Sequence, residues 1–138
     1  MTDAELVAKK LAEVESRIRE LRSLADLDRL RSDVKEERFV THTVQLAVQA
    51  ALDVASHIVA DERLGEPQTN QDLFTLLERH GWLAPGLAER LRDMARFRNL
   101  LVHGYAGVDL DLVADIIRND LGDLERFIAT VRGRMSTR

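Results

Sequence analysis

The 138-residue chain contains no cysteine, only two prolines and few aromatic residues. The lack of cysteine excludes disulfide scaffolds, thiolate zinc sites and thiol nucleophiles, and it fits a reducing compartment, so we expect a cytoplasmic protein. No stretch approaches the ~20 apolar residues that span a bilayer, and the N-terminus lacks the pattern of an export signal. The net charge of −4 argues against coating nucleic acid through a general positive field, so any such contact must be local.

Apolar residues make up 45% of the sequence and charged residues 32%, which is the composition of a folded globular protein. The length suffices for one domain with one core and is too short for two ordinary domains side by side. We therefore expect a single domain over residues 1–138.

Apolar residues recur at three- and four-residue spacing, and the alternation typical of strands is not sustained anywhere. The pattern predicts an all-α fold, an up-and-down helical bundle of four long helices plus a short one. Asn70 is a plausible N-cap of the short helix, and glycines at 81 and 104 can end helices. The first predicted helix covers about residues 3–31, and the second follows a cap at Ser32 or Asp33 and is rich in alanine and valine from Phe39 to Val59. The others cover about 71–79, Pro85 to Val102 or His103, and 110–132.

The fourth helix carries a charge on the face that should be buried. At 100° per residue, Arg98 stands at the centre of an apolar stripe, and it belongs to a local basic cluster. A lone guanidinium there requires a carboxylate, backbone carbonyls, a water-lined cleft or an anionic ligand. The stripe consists of Leu87, Leu91, Met94, Ala95, Leu101 and Val102, and the other members of the basic cluster are Arg90, Arg92 and Arg96.

His103 lies about 140° around the helix from Arg98 but directly precedes Gly104, where the helix can unwind so that both face one cleft. Phe97 and Leu100 add apolar surface on the remaining sides, which suggests cover by a second copy and hence a homodimer. Metal-free RNA cleavage needs a base, an acid and fixed positive charge, which histidine and arginine supply. Asn99 is positioned to orient either residue or a phosphate.

Structural interpretations of the same residues remain open. His103 can stabilise a helix C-terminus, and Arg98 can form an internal ion pair with Asp53 or Glu78. Asp53 and His57 have the spacing of two metal ligands, but no third ligand is evident, so we predict neither a metal nor a cofactor. We interpret His42 and His80 as solvent-exposed or capping histidines. Glu36, Glu37 and Arg38 are interpreted as a solvent-exposed face, although Arg38 can also contact RNA.

The segment from Arg98 to Tyr105 resembles the signature of the HEPN superfamily and, within it, the HepT-like family. That signature is an arginine, four to six residues, a histidine, any residue and a tyrosine, often with a polar residue directly after the arginine. Arg96 would fit a longer gap, but it lacks the polar neighbour. The resemblance continues in the same order through most of the chain, at residues 52–59, 74–77, 94–99 and 116–127, and it is weakest in the first helix.

The resemblance implies a homodimeric, metal-independent endoribonuclease that is the toxin of a toxin–antitoxin pair, with Arg98 and His103 as catalytic residues. It also implies an antitoxin of the MNT type, a minimal nucleotidyltransferase, which can silence the toxin by adding AMP to the motif tyrosine, Tyr105. An adduct there would place negative charge beside Arg98, where an RNA phosphate should bind.

Two other functions compete with this one. A HEPN bundle can be a non-catalytic interaction module that binds a nucleotidyltransferase or a nucleotide, in which case His103 need not react. A plain helical dimer with Arg98 in an internal ion pair is the other alternative, and removing Arg98 would then strand a buried partner charge.

Overall fold

The structure is a computed structural model, and it describes the backbone of residues 3–102 and 109–137 and the side chains of 3–99 and 109–137. These residues form helices and contain no strand, which confirms the predicted all-α bundle. The helices are α1 (Ala4–Leu24), α2 (Val34–Asp61), α3 (Asn70–Arg79), α4 (Pro85–Val102), α5 (Leu110–Asp115) and α6 (Leu121–Ser136), with a 3-10 turn at Leu27–Arg29 and a π-helical turn at Ile116–Asp120.

The first helix is shorter than predicted. It ends at Leu24, because Ala25 and Asp26 have extended backbones and the Asp26 carboxylate accepts a hydrogen bond from the backbone N–H of Asp28. Asp33 caps α2, as predicted, and α2 begins at Val34, ahead of the Ala/Val-rich stretch that starts at Phe39. Short acidic side chains that bond nearby N–H groups therefore set this boundary, and helical periodicity does not.

The N-terminus of α3 differs by one residue from the prediction. Thr69 is the N-cap, and its hydroxyl accepts from the backbone N–H of Asp72 while the Asp72 carboxylate accepts from the backbone N–H of Thr69. Both bonds of a capping box are present, which fixes the start of this short helix. Asn70 becomes the first residue inside α3, and Gly81 follows its end with a positive φ of 79°, as expected.

Helix α2 is the centre of the bundle. Contrary to the expectation from the sequence, α2 is long and apolar enough to pass for a membrane span by length and composition. However, 61% of its most apolar window is buried inside the fold, as in the core helix of a globular protein. Its small side chains, including Ala47, Ala51 and Ala55, are fully buried and allow close approach of its neighbours. The buried apolar residues of all six helices form one continuous cluster around it.

The last three helical segments follow one another without a break from 110 to 136. The single helix predicted over 110–132 is therefore present, with an added π-helical turn, and it extends beyond the predicted end. Two bidentate ion pairs join α6 to α1: Arg22 to Glu125 at 2.7 and 2.8 Å, and Arg132 to Glu15 at 2.5 and 2.8 Å. Their order along the chain shows that α1 and α6 are antiparallel.

Helices α3 and α4 are also antiparallel. Glu78, near the end of α3, accepts a hydrogen bond from Arg92 at 2.8 Å, and Asn70, at the start of α3, bonds to Asn99 near the end of α4. The start of α3 therefore lies beside the part of α4 that carries Arg98.

Candidate functional site

The four arginines of the basic cluster on α4 do not have equivalent surroundings. Arg90 Nε lies 3.0 Å from Asp123, Arg92 Nη1 lies 2.8 Å from Glu78, and Arg96 Nη1 lies 3.1 Å from Asp93. Each of these three cations therefore has a carboxylate partner. Among the described residues, Arg98 has none.

Arg98 lies on the buried stripe of α4, as predicted. Leu91, Met94 and Ala95 on the same stripe are buried, and Arg98 itself is half-buried. Its Nε atom is inaccessible to solvent and makes no hydrogen bond to the described part of the chain. A guanidinium with an unbonded Nε and no carboxylate partner among the described residues is expected where the group binds an anionic ligand.

The two carboxylates proposed as internal partners of Arg98 are engaged elsewhere. Glu78 bonds to Arg92, while Asp53 accepts from Gln49 at 2.9 Å and lies 3.5 Å from Lys10. Neither of the two carboxylates that the sequence suggested is therefore the ion-pair partner of Arg98.

Asn99 is half-buried, and its Oδ1 accepts a hydrogen bond from Nδ2 of Asn70 at 3.2 Å. The sequence suggested a supporting role for Asn99 but treated Asn70 only as a cap of α3. The missed signal was the pairing of two helices: once α3 and α4 are antiparallel, the start of one faces the end of the other.

The remaining motif residues, His103, Gly104 and Tyr105, lie outside the described residues. The predicted shared cleft of Arg98 and His103, and the position of Tyr105 beside Arg98, therefore remain predictions.

Phe97 does not have the role that the sequence suggested. It was expected to add exposed apolar surface for a second copy, but it is 6% exposed within the single chain. It lines a 290 Å³ cleft together with Met94 on α4, Leu112 on α5 and Ile116 in the π-helical turn. Because Phe97 belongs to the apolar core cluster of the single chain, it gives no support to a homodimer.

Acidic groups lie around the same cleft. Asp123 is almost fully buried and binds Arg90 and Arg126. Burial raises the pKa of the nearby Asp120, and the negative charges of Asp123 and Asp115 raise it further. The carboxylates of this cleft thus lie among arginines, with Arg90 and Arg96 also in its lining.

The other candidate residues have ordinary roles. His57 Nε2 lies 2.9 Å from Asp61, so it pairs with a residue other than Asp53. His42 and His80 are exposed, and Arg38 is exposed beside His42 on α2. Within residues 3–99 and 109–137, no group of three or more side chains is arranged to hold a metal ion.

An all-α bundle whose fourth helix, α4, carries the arginine of an Arg-x4-His-x-Tyr sequence is typical of a class of small nucleases, and comparison with known proteins agrees. The profile of the family described as ribonuclease HepT-like matches residues 11–131. The chain belongs to this family.

Two characterised relatives are named as nucleases. An mRNA nuclease HepT of Shewanella oneidensis is 29% identical over 129 residues, which are 93% of this chain and 97% of the relative. A tRNA nuclease HepT of Aphanizomenon flos-aquae is 32% identical over 83 residues, which are 60% of this chain and 56% of the relative.

A solved structure has the same fold over nearly its whole length. It is the tri-AMPylated HEPN toxin of Shewanella oneidensis in complex with an MNT antitoxin, with a TM-score of 0.87 and 29% identity over 96% of this chain and 99% of that chain. The predicted family, the HEPN-like fold and the class of endoribonuclease toxin are therefore confirmed.

Proposed function

We propose that the chain cleaves RNA without a metal ion and that Arg98 and His103 are its catalytic residues. The observation that carries the proposal is the contrast on α4: three arginines face carboxylates, while Arg98 lies on the buried stripe with an unbonded Nε. A fixed cation with free donors stabilises the phosphoryl oxygens as they gain charge in the transition state.

The chemistry follows from RNA itself. His103 takes the proton of the 2′-hydroxyl, the resulting oxygen attacks the adjacent phosphorus, and the bond to the 5′-oxygen breaks. The leaving oxygen receives a proton, and the products are a 2′,3′-cyclic phosphate and a 5′-hydroxyl. Histidine suits both proton transfers because its ordinary pKa is close to neutrality.

We propose a homodimer as the active form. The reaction needs a base and an acid, and each chain has one motif histidine. A two-fold interface between the ends of two α4 helices would bring a second His103 and a second Arg98 to the same groove. The case for a homodimer thus depends on the chemistry of the reaction and not on Phe97, which is buried within one chain. We take residues 1–138 as one domain, supported by the single apolar cluster, and the cytoplasm as its location.

We propose an MNT-type nucleotidyltransferase as the antitoxin partner and Tyr105 as the residue that it modifies. The support is the related Shewanella toxin, which is AMPylated and bound to an MNT antitoxin. Tyr105 is the only tyrosine of this chain, so any tyrosine adduct must be there. The phosphate of an adduct would compete with RNA for Arg98.

The test of catalysis is cleavage of a defined RNA by the purified protein in EDTA. We expect cleavage by the wild type, loss with His103→Ala and with Arg98→Ala, and cyclic-phosphate ends on the product. Arg96→Ala is the matched control, because it removes an exposed arginine two residues away that pairs with Asp93. Equal cleavage by wild type and His103→Ala would indicate a contaminating nuclease, and no cleavage by unmodified wild type would favour a binding module.

The test of regulation is co-expression with the Shewanella MNT antitoxin followed by intact-mass measurement. We expect one or more AMP additions on the wild type and none on Tyr105→Phe, which should remain toxic. If Tyr105→Phe were silenced with no adduct, binding alone would account for neutralisation. An adduct on Tyr105→Phe would show that another residue is modified.

A further inference from the structure

The hydrogen bond between α3 and α4 has a direction that matters at the proposed site. The Asn70 Nδ2 group donates and the Asn99 Oδ1 atom accepts, at 3.2 Å, and both side chains are half-buried. The two residues are 29 positions apart in sequence, so this contact exists only in the folded bundle. Asn99 is the direct neighbour of Arg98 on α4.

A carboxamide has two different ends. Its oxygen only accepts hydrogen bonds, and its nitrogen only donates them. Because the oxygen of Asn99 is bound to Asn70, and the NH2 group makes no hydrogen bond to the described part of the chain, the NH2 group is the end left for a ligand. Donors of this kind favour an anion, and a phosphodiester is the anion that RNA presents.

Asn70 is well placed to hold this orientation, because the first turn of α3 is itself fixed. The Asp72 carboxylate accepts from the backbone N–H groups of Gln68 at 2.8 Å and Thr69 at 3.2 Å, and Thr69 returns a bond to Asp72. These bonds favour the charged carboxylate and hold the pKa of Asp72 below its ordinary value. A donor on a fixed turn loses little freedom when it bonds.

We propose that Asn70 is a positioning residue of the ribonuclease: it holds the carboxamide of Asn99 so that the NH2 group donates to the RNA phosphate bound by Arg98. This inference rests on the proposed function of Arg98. Asn70 itself does not touch the substrate.

The decisive variant is Asn70→Asp, which keeps the shape and reverses the hydrogen bond. A carboxylate at 70 can only accept, so Asn99 must turn over, give its NH2 group to residue 70 and present its oxygen to the phosphate. Losing a donor to a charged group lowers kcat/KM by about 10- to 100-fold. An aspartate in the first turn of a helix is favourable, so the melting temperature should not fall.

Two further variants separate orientation from charge and from fold. Gln71→Glu places the same charge one residue further along α3, without a bond to Asn99, and should leave kcat/KM within about 3-fold of the wild type, the effect expected of a screened surface charge. Asn99→Asp keeps the bond from Asn70 but has no donor end, so it should lose as much activity as Asn70→Asp. A purely structural role predicts a lower melting temperature for Asn70→Asp instead.

The proposal is overturned if Asn70→Asp cleaves RNA like the wild type, or if Gln71→Glu loses as much activity. Failure of the proposed function itself looks different: wild type and His103→Ala would then behave alike. The orientation can be measured without catalysis from the side-chain amide signals in a ¹⁵N-labelled sample. Addition of an uncleavable 2′-deoxy oligonucleotide should shift the NH2 signals of Asn99 in the wild type and not in Asn70→Asp, and a shift in both would overturn the proposal.

Discussion

Replacing Arg98 by methionine should abolish RNA cleavage and, at the same time, stabilise the fold. Methionine fills a similar volume and has no polar atom to desolvate. An unsatisfied buried polar group costs about 1–3 kcal/mol, and only the Nε atom of this half-buried side chain is identified as buried and unbonded. We therefore expect the free energy of unfolding to rise by about 1 kcal/mol, the lower end of that range. For a chain of this length that is roughly 3–5 °C in melting temperature.

The assay is thermal unfolding followed by circular dichroism, with Arg92→Met as the matched control. Arg92 and Glu78 have side chains that are 25% and 29% exposed and lie 2.8 Å apart, so this control leaves a half-buried carboxylate without its partner. It should lower the free energy of unfolding by about 1 kcal/mol and leave cleavage intact. A loss of more than about 2 kcal/mol in Arg98→Met would refute the reasoning, because it would mean that Arg98 holds an internal anion.

Three smaller predictions concern stability. Because the pKa of Asp120 is raised in the folded state, its charged form opposes folding above that pKa, so Asp120→Asn should raise the melting temperature at pH 7 and not at pH 3. The pKa values of Glu15 and Glu125 are lowered by their arginines, so the stability that they contribute is present above pH ~4.5 and should decline on acid titration, and an unchanged melting temperature at pH 3 would contradict this. Gly81→Ala should cost about 1 kcal/mol in a denaturant titration, because φ is 79° there, while the added Cβ would meet only the end of the Arg134 side chain at 3.9 Å.

Much of the fold followed from apolar spacing. Helices α3 and α4 and the continuous segment from 110 onward occur close to their predicted places, because long amphipathic periods and glycine stops are local signals. The end of α1 did not follow, since Asp26 bonds to a nearby N–H group and stops the helix while the apolar period continues. The π-helical turn at Ile116–Asp120 left no recognisable pattern, because one extra residue in a turn barely alters the spacing.

The candidate site was predicted less completely. The position of Arg98 on a buried stripe was readable, because it depends on one helix alone. The sequence did not predict that Arg98 has no carboxylate partner among the described residues. That outcome depends on Glu78 and Asp53 being bound to other residues in the fold. The burial of Phe97 and the bond of Asn70 to Asn99 have the same origin: both depend on contacts of α4 with the rest of the fold, which the pattern of one helix does not show.

The ion pairs between α1 and α6 have a consequence for synthesis. About a hundred residues separate the end of α1 from the start of α6, so at about 5–20 residues per second α1 waits roughly 5 to 20 seconds on the ribosome for this neighbour. During that time Asp123, which binds Arg90 of α4, is absent as well. Helix α4, which carries Arg98, is thus synthesised before α6, whose Asp123 binds Arg90 of α4. The ion pair between α4 and α6 can therefore form only after α6 has been synthesised.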